Sequence, residues 1–440
     1  MQLPGWLITV FYFFAALYPL VLVHELGHFL VAKLHRIRVD EFGLGFPPRA
    51  LKLFSAGGTD YTLNWLPLGG FVRLHGEDDP TEPGAFAAAR PRARAAVLLA
   101  GPFANFALTV VLLGLVGAVW GVEQAVRPDA LVRIGGVEEG SPAAAAGLAM
   151  DDVIVAIDGR PPASHAAAAA PDGSAAVQGL IDAASAAADR PLALTVVRGG
   201  GDVVSVEAPE GLALGPVDAA WSARAVAAAA TAEDGASIGP HDIVLAPADV
   251  ADGGREPVAG ERLVVLDAPD TPLETLELTV TPQLDAASGR AKMGVAIGAL
   301  SVSTPVPLWQ APWHGLTGTV GMLGMMIDGL ASMVRGTEEV QVAGPVGIAR
   351  LSRLAGESGW MTLLRFAAIL SANLGLINLF PIPGLDGGRL LFVGLEAIRG
   401  ARIEPTREAI VHALGIGFVL LLMLVITVME VLNPMTFARP

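Results

Sequence analysis

"YPLVLVHELGHFLVAKL", residues 18–34, sets two histidines and a glutamate inside an otherwise apolar run. The run reads as a helix able to cross a bilayer, which takes about 20 apolar residues. Each ionisable group inside such a helix costs roughly 2.5 kcal/mol or more, so three together mark a site. His24-Glu25-Leu26-Gly27-His28 is an H-E-x-x-H pattern. Residues i and i+4 of a helix share a face, so His24 and His28 can turn ring nitrogens toward one Zn2+. Glu25 then stands where it can take a proton from water. In zinc hydrolases the metal brings the pKa of its water to about 7.

Such hydrolases use three protein ligands and keep one position open. The third candidate is far downstream, in "NLGLINLFPIPGLDGGRLLF", residues 373–392. Asp386 follows two helix breakers, Pro381 and Pro383, and precedes Gly387 and Gly388. Proline inside an apolar run breaks the helix. Non-helical backbone at membrane depth survives only where it is buried in protein or lines a wet cavity. A carboxylate on such a segment is expected to face a site; taken alone, LDGG reads equally well as a turn capping a span.

The rest of the chain supplies a membrane frame. It has 440 residues, 53% of them hydrophobic, and a mean hydropathy of +0.56. Apolar stretches at about 6–32, 94–120, 363–381 and 409–431 are long enough to span. A fifth, 308–334, carries Gln310, His314 and Asp328 and reads as an amphipathic helix lying at the interface. Basic residues gather in two segments, Lys33 to Arg94 and Arg389 to Arg407. The positive-inside rule makes both cytoplasmic and puts the two termini and the middle region outside.

That middle region is the acidic part. Residues 121–300 hold 26 Asp and Glu against 10 Lys and Arg, which accounts for the net charge of −15. An acidic chain excludes nucleic-acid binding, which needs a basic surface. Cysteine is absent, so disulfides and Cys-ligated metals are excluded. His165 and His241 read as solvated surface residues.

Three motifs in order, HELGH (24–28), AGPFANF (100–106) and NLFPIPGLDGG (378–388), resemble the site-2 protease family of intramembrane zinc metalloproteases, most of all the bacterial regulator-of-sigma-E protease group. The resemblance implies His24, His28 and Asp386 as zinc ligands, Glu25 as catalytic base, and Asn378 holding substrate backbone. It places Asn105 near the site, among the substrate-binding residues. "PLGGFVRL" (67–74) resembles the family's membrane-associated β-hairpin, whose edge could take an unwound substrate as an added strand. "GLGF" (43–46) spells a PDZ carboxylate loop but has no room for that fold, and is assigned to site architecture. "LVRIGGVEEGSPAAAAGLAMDDVIVAIDGRP" (131–161) resembles a circularly permuted PDZ domain.

The expected fold is thus a polytopic α-helical membrane protein with about four transmembrane helices, a membrane-associated β-hairpin and an inserted extracytoplasmic α+β PDZ region. Its parts are 1–120, a PDZ domain at 128–210, a second PDZ-like module or PDZ insertion at 211–300, and 301–440. The resemblance implies a bacterial inner-membrane enzyme that cuts single-span membrane proteins, such as an anti-sigma factor or a signal-peptide remnant, in contact with membrane lipids. The PDZ region is either a binder of a peptide or protein ligand or an inert size filter. Two rival readings stay open: a membrane metalloprotease cutting at the interface, and a catalytically silent PDZ-bearing scaffold.

Overall fold

The computed structural model describes residues 4–432 apart from 78–83, 126–130, 139, 167–174, 199–202, 211, 213, 217–223, 227–229, 232–236, 239–241, 245–256, 260–261, 267–273, 285–290, 300, 336–343 and 402. His241 lies outside the described residues. The chain forms two compact units, one from Met1–Trp120 with Val306–Met435 and one from Gly121–Pro305.

The first unit is helical. Its helices are α1 (Gly5–Leu34) and α2 (Pro91–Val119). The second unit contributes α3 (Pro142–Ala145) and α4 (Ala175–Ala186). The first then resumes with α5 (Ala311–Arg335), α6 (Pro345–Glu357), α7 (Trp360–Leu379), α8 (Asp386–Arg399) and α9 (Pro405–Leu432). Five of these, α1, α2, α5, α7 and α9, are long and apolar enough to cross a membrane. The expectation from sequence is four spans, with the region of α5 at the interface.

On α1 the buried residues are Ala16, Leu20, His24, His28 and Ala32, a single stripe at four-residue spacing. The rest of the helix keeps Trp6, Phe11, Leu26 and Leu30 exposed, as lipid contact requires. α2 runs antiparallel along this stripe: His28 meets Val97, Gly27 meets Ala100, and His24 meets Asn105. A Cβ on Gly27 would lie 2.4 Å from the Ala100 carbonyl oxygen, so glycine sets the helix spacing there. α7 packs on the other side of α2, where Ser371 Oγ donates to Asn105 O at 2.9 Å.

Between α1 and α2 lie β1 (Val39–Ala56) and β2 (Thr59–Leu74). Gly57 and Gly58 both take positive φ, 58° and 77°, as a tight hairpin turn requires. Both strands bend, so residues 41–44 lie beside 60–63 on one side and 70–73 on the other, while 49–56 pair with 59–64. Residues 70–74 thereby form an edge. The glycines of "GLGF" are sheet positions: Gly43 abuts the Phe71 ring, and Asn64 donates to Gly45 O at 3.0 Å.

The second unit holds two five-stranded sheets. Strands 274–280, 192–198, 153–157, 132–137 and 295–299 form the first, in that order, over a core of Ile134, Ile154, Ile157, Leu180 and Leu194. Strands 203–207, 262–266, 243–244, 224–226 and 214–216 form the second, packed through Val206, Ile238, Leu263 and Val265. The second sheet is therefore nested inside the first, between residues 198 and 274. His165 is not a free surface group: its Nε2 lies 3.0 Å from Ile157 O.

Candidate metal centre and active site

His24 and His28 come from the buried stripe of α1, and Asp386 from the first residue of α8. The loop before α8 folds back onto the helix start. A Cβ on Gly387 would stand 2.2 Å from Phe380 O, and one on Gly388 2.3 Å from Ile382 O, so both positions must be glycine. The two glycines of LDGG thus let the broken segment turn back and aim Asp386 at α1.

The result is a compact donor triangle. His24 Nε2 lies 3.1 Å from Asp386 Oδ2, His28 Nε2 lies 3.2 Å from the same oxygen, and the two ring nitrogens are 3.1 Å apart. Among the described residues this is the one group of three or more His, Asp or Glu placed to hold a metal ion. Tetrahedral zinc with bonds near 2.05 Å needs ligand atoms ~3.3 Å apart.

The surroundings fit such an ion as well. A ring that binds metal through Nε2 carries its proton on Nδ1 and needs an acceptor there. His28 Nδ1 has the Val97 carbonyl at 2.7 Å. His24 Nδ1 has the Asn105 amide at 3.2 Å, and the Oδ1 of Asn105 is a buried atom without a hydrogen-bond partner. Turning that amide over brings Oδ1 to the Nδ1–H of His24 and removes the orphan; amide orientation is an assignment of this kind. Gly101 keeps the space clear, since its Cβ would lie 2.3 Å from His28 Nε2.

A cavity of about 530 Å³ opens on these donors. His24, Glu25, Asp386 and Asn378 line it, and residues 69–74 of β2 form one wall. The backbone N–H of Val72 faces Glu25. Asn378 is 9% exposed, and its amide donates to Leu374 O at 3.0 Å. Asn105 is fully buried and sits behind His24 rather than on the cavity wall.

Two polar features had no sequence signal strong enough to find. Arg94 and Glu396, both buried, form a 2.5 Å ion pair joining α2 to α8. Glu41, 3% exposed, is paired with Arg49 and Arg73 inside the sheet. A charge near the end of an apolar run was the only hint of either.

A metal-binding pair on a membrane helix, a distant carboxylate and a neighbouring glutamate define a membrane metallopeptidase. Residues 12–423 match the family model described as peptidase family M50, and the chain belongs to that family. It is similar to the regulator of sigma-W protease RasP of Bacillus subtilis, 30% identical over 95% of this chain and 97% of that protein. The regulator of sigma-E protease RseP of Salmonella typhimurium is 29% identical over 93% of this chain and 95% of that protein. The zinc metalloprotease RasP of Geobacillus kaustophilus is 26% identical over 93% of this chain and 94% of that protein. The protein is a membrane zinc metalloprotease of the site-2 type.

Proposed function

We propose that the protein hydrolyses a peptide bond within or near the transmembrane segment of a single-span membrane protein, such as an anti-sigma factor or a signal-peptide remnant. The observation that carries the reading is the meeting of His24, His28 and Asp386 donor atoms within 3.2 Å of one another, from opposite ends of the chain. These three would hold zinc. When bound, the ion supplies Lewis acidity toward the scissile carbonyl and acidifies water.

The chain's own groups do the rest. A helical substrate hides its carbonyls in its own hydrogen bonds, so it must unwind before it can react. The 70–74 edge offers an added-strand partner for the unwound segment. Asn378, on the cavity wall, holds its backbone. Glu25 takes the proton of the attacking water and passes it to the leaving nitrogen. Asn105 orients His24 rather than touching substrate.

Four crossings fit this unit. α5 starts where α2 ends, with Val306 N–H donating to Gly117 O at 3.0 Å. α6 lies at the α1 start, where Arg353 donates to Gly5 O at 3.3 Å. Because α1 and α2 are antiparallel, both points are on one membrane side. A crossing by α5 would need a return crossing between Arg335 and Gly344, a stretch far shorter than the ~20 residues that a membrane helix takes. A Cβ on Gly315 would lie 2.0 Å from Val110 O, whereas Gly321, Gly324 and Gly329 have open space. α5 packs antiparallel on α2 through its first turns, where Thr319 is 3% exposed, and we read the helix as amphipathic and lying at the interface, its Asp328 toward water. The basic segments then face the cytoplasm of a bacterial inner membrane. The nested sheets, read as two PDZ-like modules, lie outside.

Cleavage of a tagged single-span reporter in proteoliposomes, wild type against Glu25→Gln, tests the reading. A product made only by wild type, with its new terminus inside the span, supports it. A terminus outside the span makes this an interfacial protease. Intact reporters with zinc present favour the silent scaffold.

A further inference from the structure

We propose that His412 of α9 is a positioning residue of the metal site, holding the Gly384 N–H and thereby the loop that presents Asp386. The proposal rests on the reading of Asp386 as a metal ligand.

The loop between α7 and α8 is broken backbone at membrane depth beside the cavity, where each N–H needs a partner in the protein or in cavity water. Its donors can be counted. Phe380 N–H goes to Ile377 O, Ile382 N–H to Phe380 O, and Leu385 N–H to Ile382 O. Pro381 and Pro383 have no N–H. Gly384 is left, and its N–H meets His412 Nδ1 at 2.8 Å. The bond closes the account, and it comes from a helix 28 residues away in sequence.

The contact is built rather than incidental. Gly384 has φ +99°, open to glycine and costly for other residues. A Cβ on it would lie 2.7 Å from Ile416 Cγ1, and one on Gly415 would lie 2.1 Å from Pro383 O. Two glycines, one on each side, therefore let α9 touch the loop directly. His412 is itself 9% exposed and stands beside the Phe392 ring at 5.3 Å between centroids. Because Nδ1 accepts from Gly384, the ring proton is on Nε2, a buried atom without a hydrogen-bond partner that lies 3.6 Å from Glu408 Oε1. Asp386 follows two residues after Gly384, and its carboxylate keeps its place only if the loop peptide does.

The test uses purified full-length protein carrying His412→Ala or His412→Asn, the latter placing Oδ1 where Nδ1 was. His412→Phe, which keeps a ring and loses the acceptor, replaces the alanine variant should that one fail to accumulate. Hydrogen exchange of the peptide covering 379–388 is read on chelator-stripped protein. The alanine or phenylalanine variant is expected to exchange ~10-fold faster at Gly384 than wild type, and the asparagine variant to stay slow. With zinc, zinc loss to a chelator speeds up ~10–100-fold and kcat falls with KM unchanged; asparagine restores both. Wild-type exchange in the variant lacking the acceptor overturns the proposal. So does an asparagine variant no better than alanine, or faster exchange with zinc loss and kcat unmoved. Failure of the underlying ligand assignment shows separately, as wild-type zinc content in Asp386→Asn protein.

Discussion

A Cβ on Gly101 would stand 2.3 Å from His28 Nε2 and 2.7 Å from His24 Nε2. The glycine of the AGPFANF stretch is thus what lets α2 approach the two histidines. Gly101→Ala is expected to push both rings from the triangle and abolish zinc retention while the helices still insert. Metal analysis of the purified variant checks this; wild-type zinc content would show that the site gives way easily and that Gly101 is not needed for it.

Asn105 leads to a graded prediction. Its Oδ1 is the acceptor available to the His24 Nδ1–H. Loss of such a partner costs ~10–100-fold in metal affinity. Asn105→Leu should show that loss in chelator competition, and Asn105→Asp, which keeps an acceptor, should show much less. Equal affinity in both variants would mean that His24 does not depend on this amide.

How much of this was readable beforehand follows from what each residue type must do. His24, Glu25, His28 and Asp386 were legible because ionisable groups in lipid need a reason and because the i, i+4 spacing fixes a face. The close approaches that Gly27 and Gly101 make possible were not, since a glycine's importance lies in the atom it must leave room for, which belongs to another segment; Gly387 was read only as a flexible neighbour of Asp386. The order of strands in the middle unit was hidden for a similar reason. Strands 274–280 and 295–299 complete a sheet begun at 132, and chain order alone does not say which sheet a closing strand pair joins. Residues 308–334 stayed ambiguous because length and hydropathy alone fit a span.

The buried Arg94–Glu396 pair joins the helix that carries Gly101 to the helix that begins with Asp386. Glu396 also accepts the Ile403 N–H at 3.1 Å. Removing one partner of such a pair costs ~3–5 kcal/mol, because the other is left buried and unpaired. Arg94→Met should therefore lower the melting temperature strongly. Arg94→Met with Glu396→Leu should recover most of it, since well-packed apolar replacements of a buried pair are often neutral. A double variant as unstable as the single one would show that the pair does more than satisfy itself.

Val72 N–H points away from β1 toward Glu25, so the internal ladder of the sheet does not use it. Val72→Pro removes that donor, and proline is tolerated on sheet edges. The zinc triangle, held by α1, α2 and α8, should be untouched. Substrate cleavage should fall by about 10²-fold, because the Glu25 carboxylate loses the backbone donor that fixes its position. Val72→Ala, which keeps the N–H and loses only side-chain packing, should cleave at near the wild-type rate. Zinc content and reporter cleavage measured on both variants separate the possibilities. A proline variant with full zinc and full cleavage would mean that neither Glu25 nor the substrate depends on the Val72 N–H. Loss of zinc in the proline variant would mean instead that the strand supports the metal site itself.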